Sequence, residues 1–213
     1  MLLPIFISAL LSLTKATPLA QAGQVCDVEV LTQCWSSYLQ NYNMTVSPFP
    51  SFADFATVQA IYIDKNHLQG EEKVCLWQNR LNACLGANKD LCMTTPVFSG
   101  AMGISITEAT EWNTNYHVAS YQCGPGFQIL RQNFYCLRSV QKEQHDKIRA
   151  CEEQLNHSIS QGFKCSKYNT YINCVRRIYT NECGQGVSGY ICNSRKASIQ
   201  ANTHYCDNTL LKC

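Results

Sequence analysis

Cys165-Ser-Lys-Tyr-Asn-Thr-Tyr-Ile-Asn-Cys174-Val-Arg-Arg-Ile-Tyr-Thr-Asn-Glu-Cys183 is the stretch whose reading decides the fold. Tyr168, Tyr171, Val175 and Ile178 recur at helical spacing within it, which predicts an amphipathic helix. Its three cysteines stand nine positions apart. Nine residues of α-helix turn through about 900°, so the side chains end half a turn apart, and the Cα atoms lie about 13 Å from each other. A disulfide needs Cα atoms within about 7 Å. No bridge can close inside this helix, and each cysteine must tie it to a different neighbour.

The same logic extends outward. Cys75, Cys84 and Cys92 repeat nearly the same spacing, which suggests a duplicated helix-loop unit. Val28, Leu31, Trp35, Tyr38, Leu39 and Tyr42 predict a helix over 26–42. Pro48-Phe-Pro50 breaks the chain, and Ser51 is a candidate N-cap for a helix carrying Phe52, Phe55, Val58 and Ile61 on one face. Glu71-Glu72 suit a helix start by the macrodipole, with Val74, Trp77, Leu81 and Cys84 following as a stripe. Residues 93–103 read as irregular, with Thr95-Pro96 and two glycines. After the turn at Gly124-Pro125-Gly126, Phe127, Leu130, Phe134 and Leu137 mark one helix. Ile148, Cys151, Leu155 and Ile159 mark a second, separate or continuous with it. Past Gly184-Gln-Gly186 the pattern is weak. No region alternates as a strand does, so the predicted fold is all-α, disulfide-stapled, with little or no sheet.

Export explains the cysteines. Residues 1–22 read as a secretory signal, uncharged and apolar through Leu13 and ending in the small-x-small Ala20-Gln21-Ala22. Residues 23–213 then form a cysteine-rich helical extracellular domain, with a cut after Ala16 as the alternative. Cys26, Cys34, Cys123, Cys136, Cys151, Cys192, Cys206 and Cys213 complete an even set of 14 cysteines in the 213-residue chain. In an oxidising compartment these pair into seven bridges, in an order that spacing cannot give. Asn43-Met44-Thr45 and Asn156-His157-Ser158 satisfy the N-glycosylation rule. No later stretch reaches the roughly 18 apolar residues of a membrane span.

Charge is balanced in total but not along the chain. Residues 23–130 carry 4 basic and 9 acidic side chains, and residues 131–213 carry 12 basic and 6 acidic. A basic face for an acidic partner such as a sulfated glycan is one reading. Two oppositely charged halves that pack together or simply stay solvated is the preferred one, because no run of like charges exceeds two. No nucleic-acid partner is expected.

Chemical motifs are sparse. There is no Cys-x-x-Cys and no histidine pair at zinc spacing, so no metal or cofactor is expected. Gly184-Gln-Gly186-Val-Ser-Gly189 matches the dinucleotide fingerprint in letters only and reads as a turn. A calcium-dependent secreted phospholipase is the sharpest enzymatic rival. Tyr121-Gln-Cys123-Gly-Pro-Gly126 resembles its calcium loop, with His145 as general base and Asp146 as calcium ligand. The cysteines that flank that family's His-Asp pair are missing, since Gln141-Lys-Glu-Gln144 precede it. His67, His117, His157 and His204 have no partner in sequence, and Trp35, Trp77 and Trp112 are assigned to the core.

Trp112-Asn-Thr-Asn-Tyr116 leads into Ser120-Tyr-Gln-Cys123-Gly-Pro-Gly-Phe127 and then Asn133-Phe-Tyr-Cys136. This run resembles a nematode secreted cysteine-rich family called domain of unknown function nineteen, over about residues 26–206. The resemblance implies an extracellular, disulfide-bonded module and brings no activity, cofactor or catalytic residue. A nematode proteoglycan core-protein family is a second likeness, but Ser99-Gly100 and Ser188-Gly189 lack acidic neighbours. The expected function is a secreted, non-enzymatic binding module for an extracellular protein, glycan or small apolar ligand. A carrier of lipid or another small apolar molecule is the alternative.

Overall fold

The computed structural model describes residues 25–213; the leader assigned to residues 1–22 lies outside them. The described chain is helical, with no strand. Helix α1 (Val28–Leu39) starts at Asp27, whose carboxylate accepts from the Val30 amide at 3.1 Å. It ends in a 3-10 turn to Tyr42, matching the predicted span. Helix α2 (Phe52–Leu85) is capped by Ser51 as expected, its hydroxyl accepting from the Asp54 amide at 3.1 Å. The two helices predicted here follow each other within α2 and meet at a bend at His67, whose φ of 53° and ψ of −136° are not helical. The bend packs Gly70 onto the preceding turn, where a Cβ would come within 3.1 Å of the Ile63 Cα. Only glycine fits such an approach. Glu71 follows at once.

Three corrections concern the predicted elements. Residues 93–103 are not irregular: helix α3 (Asn88–Cys92) ends just before this region and helix α4 (Thr95–Met102) fills most of it. Pro96 stands in the first turn of α4, where a missing N–H costs nothing. Ile61 is exposed and Ile63 is buried, because two residues turn through about 200° of helix and so stand on opposite sides of α2. The weak stretch after Gly186 holds helix α9.

The other helices are α5 (Ile106–Cys123), α6 (Phe127–Glu143), α7 (His145–Ser160), α8 (Ser166–Cys183) and α9 (Ser188–Gln200). Gln144 separates α6 from α7 at φ −107°. Helices α5 and α9 lack a clear stripe for one reason. Each is packed on more than one side, α5 between α2, α4 and α9, and α9 between α5 and α8. Half-buried positions therefore run around α5 beside its buried face, which includes the polar Asn113, and buried positions including Ser194 spread around α9.

All 14 cysteines are paired. Cys26–Cys92, Cys34–Cys84 and Cys75–Cys123 lie before Gly124. Cys136–Cys183, Cys151–Cys174, Cys165–Cys206 and Cys192–Cys213 lie after it. As the spacing required, Cys174 ties α8 to α7 and Cys183 ties it to α6. No bridge crosses the Gly124-Pro125-Gly126 turn. With Cys192–Cys213 set aside, both halves pair in one order: first with fifth, second with fourth, third with sixth. Six cysteines allow 15 pairings, and any of the four later bridges could be the one set aside, so agreement arises by chance up to about four times in fifteen. The shared order supports the duplicated unit that the spacing suggested.

Each half has its own core. The first is aromatic: Trp35 lies 5.4 Å from Trp112 and 5.2 Å from Phe98, ring centre to ring centre. Edge-on pairs of this kind add roughly 0.5–1.5 kcal/mol each beyond burial. The second core joins Leu137, Ile172, Val175, Tyr179 and Ile191 to buried cysteines. The halves meet where α5 packs on α9, and Asn113 donates to the Ala201 carbonyl at 2.8 Å. The opposite charges of the halves also meet. Arg131 pairs with Glu72 at 2.7 Å, and Arg138 pairs with Asp64.

Candidate functional site

A cleft of about 300 Å³ opens at this junction, at the small end of the range for ligand sites. Five helices wall it: α2, α5, α6, α8 and α9. Ile63, Leu130, Phe134, Leu137 and Ile191 supply its apolar lining. Leu130, Phe134 and Leu137 are the predicted stripe of α6, which thus covers the cleft as well as the core. Two glycines fix its ends. Gly70 places Glu71, and Gly126 seats the start of α6 against Tyr190, where a Cβ would meet the ring at 3.1 Å.

The charged groups of the cleft are Glu71, Arg138 and Arg195. Arg138 is engaged by Asp64. Glu71 is half-buried, has no ion pair and accepts no hydrogen bond among the described residues. Burial pushes its carboxyl pKa up, and the Arg138 guanidinium pulls it partly back. Arg195 is also half-buried and reaches only the Tyr171 hydroxyl, at 3.4 Å, with no ion pair among the described residues. The same hydroxyl donates to the Glu152 carboxylate at 3.4 Å. Burial raises the phenols of Tyr190 and Tyr179, and Arg195 pulls Tyr179 partly back. Both therefore stay neutral at physiological pH and present rings and hydroxyls.

The residues singled out from sequence fall elsewhere. His145 and Asp146 begin α7, exposed, 3.5 Å apart. The Tyr121–Gly126 turn lies at the other end of α6, about 26 Å away along the 17-residue helix. The two parts of the phospholipase motif are not brought together. Gly184-Gln-Gly186 follows a helix and forms a 3-10 turn, as read. Trp35, Trp77 and Trp112 are core residues. His117 is half-buried against the Met93 carbonyl at 3.2 Å, and burial lowers its pKa. Asn43 is exposed in a left-handed turn, and Asn156 is exposed on α7.

Two surface features stand apart from the cleft. A wide, open groove of about 760 Å³ runs beside α8, with Arg176 and Arg177 on it. The Phe163 ring lies 5.1 Å from Tyr205 and 5.9 Å from Tyr168, next to the Cys165–Cys206 bridge. The cleft is the better candidate because it is walled by five helices and holds charges that the protein leaves unpaired. Sequence reading took Glu71 only as a helix-start signal and Arg195 only as half of a charged doublet. Nothing local marks either as a site residue, since their neighbours come from other helices.

No family model matches the chain, and no curated protein or solved structure matches it either.

Proposed function

We propose that this chain is an exported, non-enzymatic binding module, and that its ligand site is the cleft between the two stapled halves. One observation carries the reading. Glu71 and Arg195 lie without ion-pair partners in a cleft of mixed polar and apolar lining, while Asp64, Glu72, Arg131 and Arg138 at the same junction are paired. Half-buried charges without partners are costly to keep, and a ligand that supplies them offsets the cost. The ligand is a small amphipathic molecule, with apolar parts on α6 and polar groups at the charges. The carrier reading is thereby narrowed, because the cleft joins an apolar lining to charged groups. The leader, the 14 cysteines and the exposed Asn43 and Asn156 support an exported glycoprotein, in keeping with the resemblance to the nematode family.

The test uses 6-propionyl-2-dimethylaminonaphthalene, an uncharged amphipathic fluorescent dye. The fully bridged protein should bind it saturably, one to one. Leu137→Trp, which fills the cleft, should abolish the binding while the circular dichroism spectrum stays helical. Failure of the protein to bind saturably, or binding untouched by Leu137→Trp, would exclude the cleft as a ligand site.

A further inference from the structure

The charges of the cleft come from opposite halves: Glu71 from α2 of the acidic half, Arg195 from α9 of the basic half. A simple anion at Arg195 shares the cleft with the Glu71 carboxylate. A simple cation at Glu71 is opposed by the nearby Arg138 guanidinium and shares the cleft with Arg195. The site therefore disfavours either charge alone and suits a molecule that carries both. Phe134, Tyr179 and Tyr190 place aromatic rings in the same walls. Rings beside a carboxylate suit a diffuse, weakly hydrated quaternary ammonium better than a compact amine. A guanidinium suits a phosphate through its fork of N–H donors.

Resting on the cleft as the ligand site, we infer that its ligand is a zwitterion joining a quaternary ammonium to a phosphate. The ammonium lies against Glu71 and the aromatic rings, and the phosphate lies on Arg195. The size of the cleft fits a head group of this kind with a short apolar extension, not a whole lipid. Phosphocholine is the smallest probe with both charges.

Isothermal titration of the full, seven-bridge protein tests the assignment, with phosphocholine, choline and inorganic phosphate in turn. Phosphocholine should bind at least ten-fold tighter than either fragment. Glu71→Gln keeps the volume and removes a charge that burial disfavours, so this variant folds. It should weaken phosphocholine at least five-fold and strengthen inorganic phosphate, which no longer shares the cleft with a carboxylate. Arg195→Gln should weaken both. Phosphocholine binding no tighter than phosphate binding, or a Glu71→Gln variant with unchanged affinity, overturns the inference. Dodecylphosphocholine below its micelle threshold separates two sources of the same chemistry. A gain of ten-fold or more over phosphocholine supports a lipid head group with its chain on the α6 side, and equal affinity supports the free head group. Loss of dye binding in Leu137→Trp, with no phosphocholine binding by the native protein, rejects the zwitterion and keeps the cleft. Absence of both rejects the cleft as well.

Discussion

Replacing Cys26 and Cys92 together by alanine removes the outer of two nested bridges. Taken alone, Cys26–Cys92 closes a loop with a sequence separation of 66. Chain entropy values a loop of that length at roughly 4.4 kcal/mol. Cys34–Cys84 already joins the chain inside that loop. With the inner bridge in place, the outer one closes only the segments 26–34 and 84–92, about 17 residues, worth roughly 3 kcal/mol. Cys92 is fully buried, so losing its sulfur adds about 1 kcal/mol. The native contact itself survives in part. Asn88 clamps the same chain end, accepting from the Asp27 amide at 2.9 Å and donating to the Asp27 carbonyl at 2.9 Å. The expected loss is therefore about 4 kcal/mol, seen as a fall in Tm of roughly 8–16 °C for a chain of this size. Urea unfolding measures it, with mass spectrometry showing the other six bridges intact. A loss under about 1.5 kcal/mol would refute the nested-loop reasoning, as would re-pairing among the remaining cysteines.

Further predictions concern the junction. A site-specific protease sequence inserted between Gly124 and Pro125 should yield two fragments that separate in denaturant without reductant, since no bridge crosses the turn. Without denaturant they should stay together through the α5–α9 packing, and fragments still linked covalently would contradict the pairing. Glu71→Gln should stabilise the ligand-free protein at pH 7. Because the folded carboxyl pKa is raised, the native state holds its proton more tightly than the unfolded chain does. Stability therefore falls as pH rises from the ordinary carboxylate range through the raised value, and above it the penalty is complete. The gain from glutamine should vanish below about pH 3, where both states are protonated. Denaturant midpoints at several pH values measure this, and an equal gain at every pH would show that the charge is not its cause.

Much of the helical layout was legible in the chain. Ser51 declares a cap through local hydrogen bonding, and Gly124-Pro125-Gly126 declares a turn through backbone geometry. The stripes of α1, α6, α7 and α8 were visible because each of these helices keeps a face in water. Helices α5 and α9 hid because contacts on several sides erase the periodicity that marks an amphipathic helix. The bend at His67 was legible only as the second helix start at Glu71-Glu72, and its angle hid because it depends on what Gly70 packs against.

The division between sequence and structure follows from the range of the forces involved. Nine-residue cysteine spacing on a helix excludes bridges within the helix, so the sequence by itself determined an all-α fold stapled helix to helix. It also determined the opposite charges of the halves, because charge is a property of composition. Which cysteines meet, where the halves touch, and that Glu71 and Arg195 share one cleft were decided only by the tertiary structure. Those facts depend on close packing between helices that come from distant parts of the chain, and a local pattern carries no record of a distant neighbour.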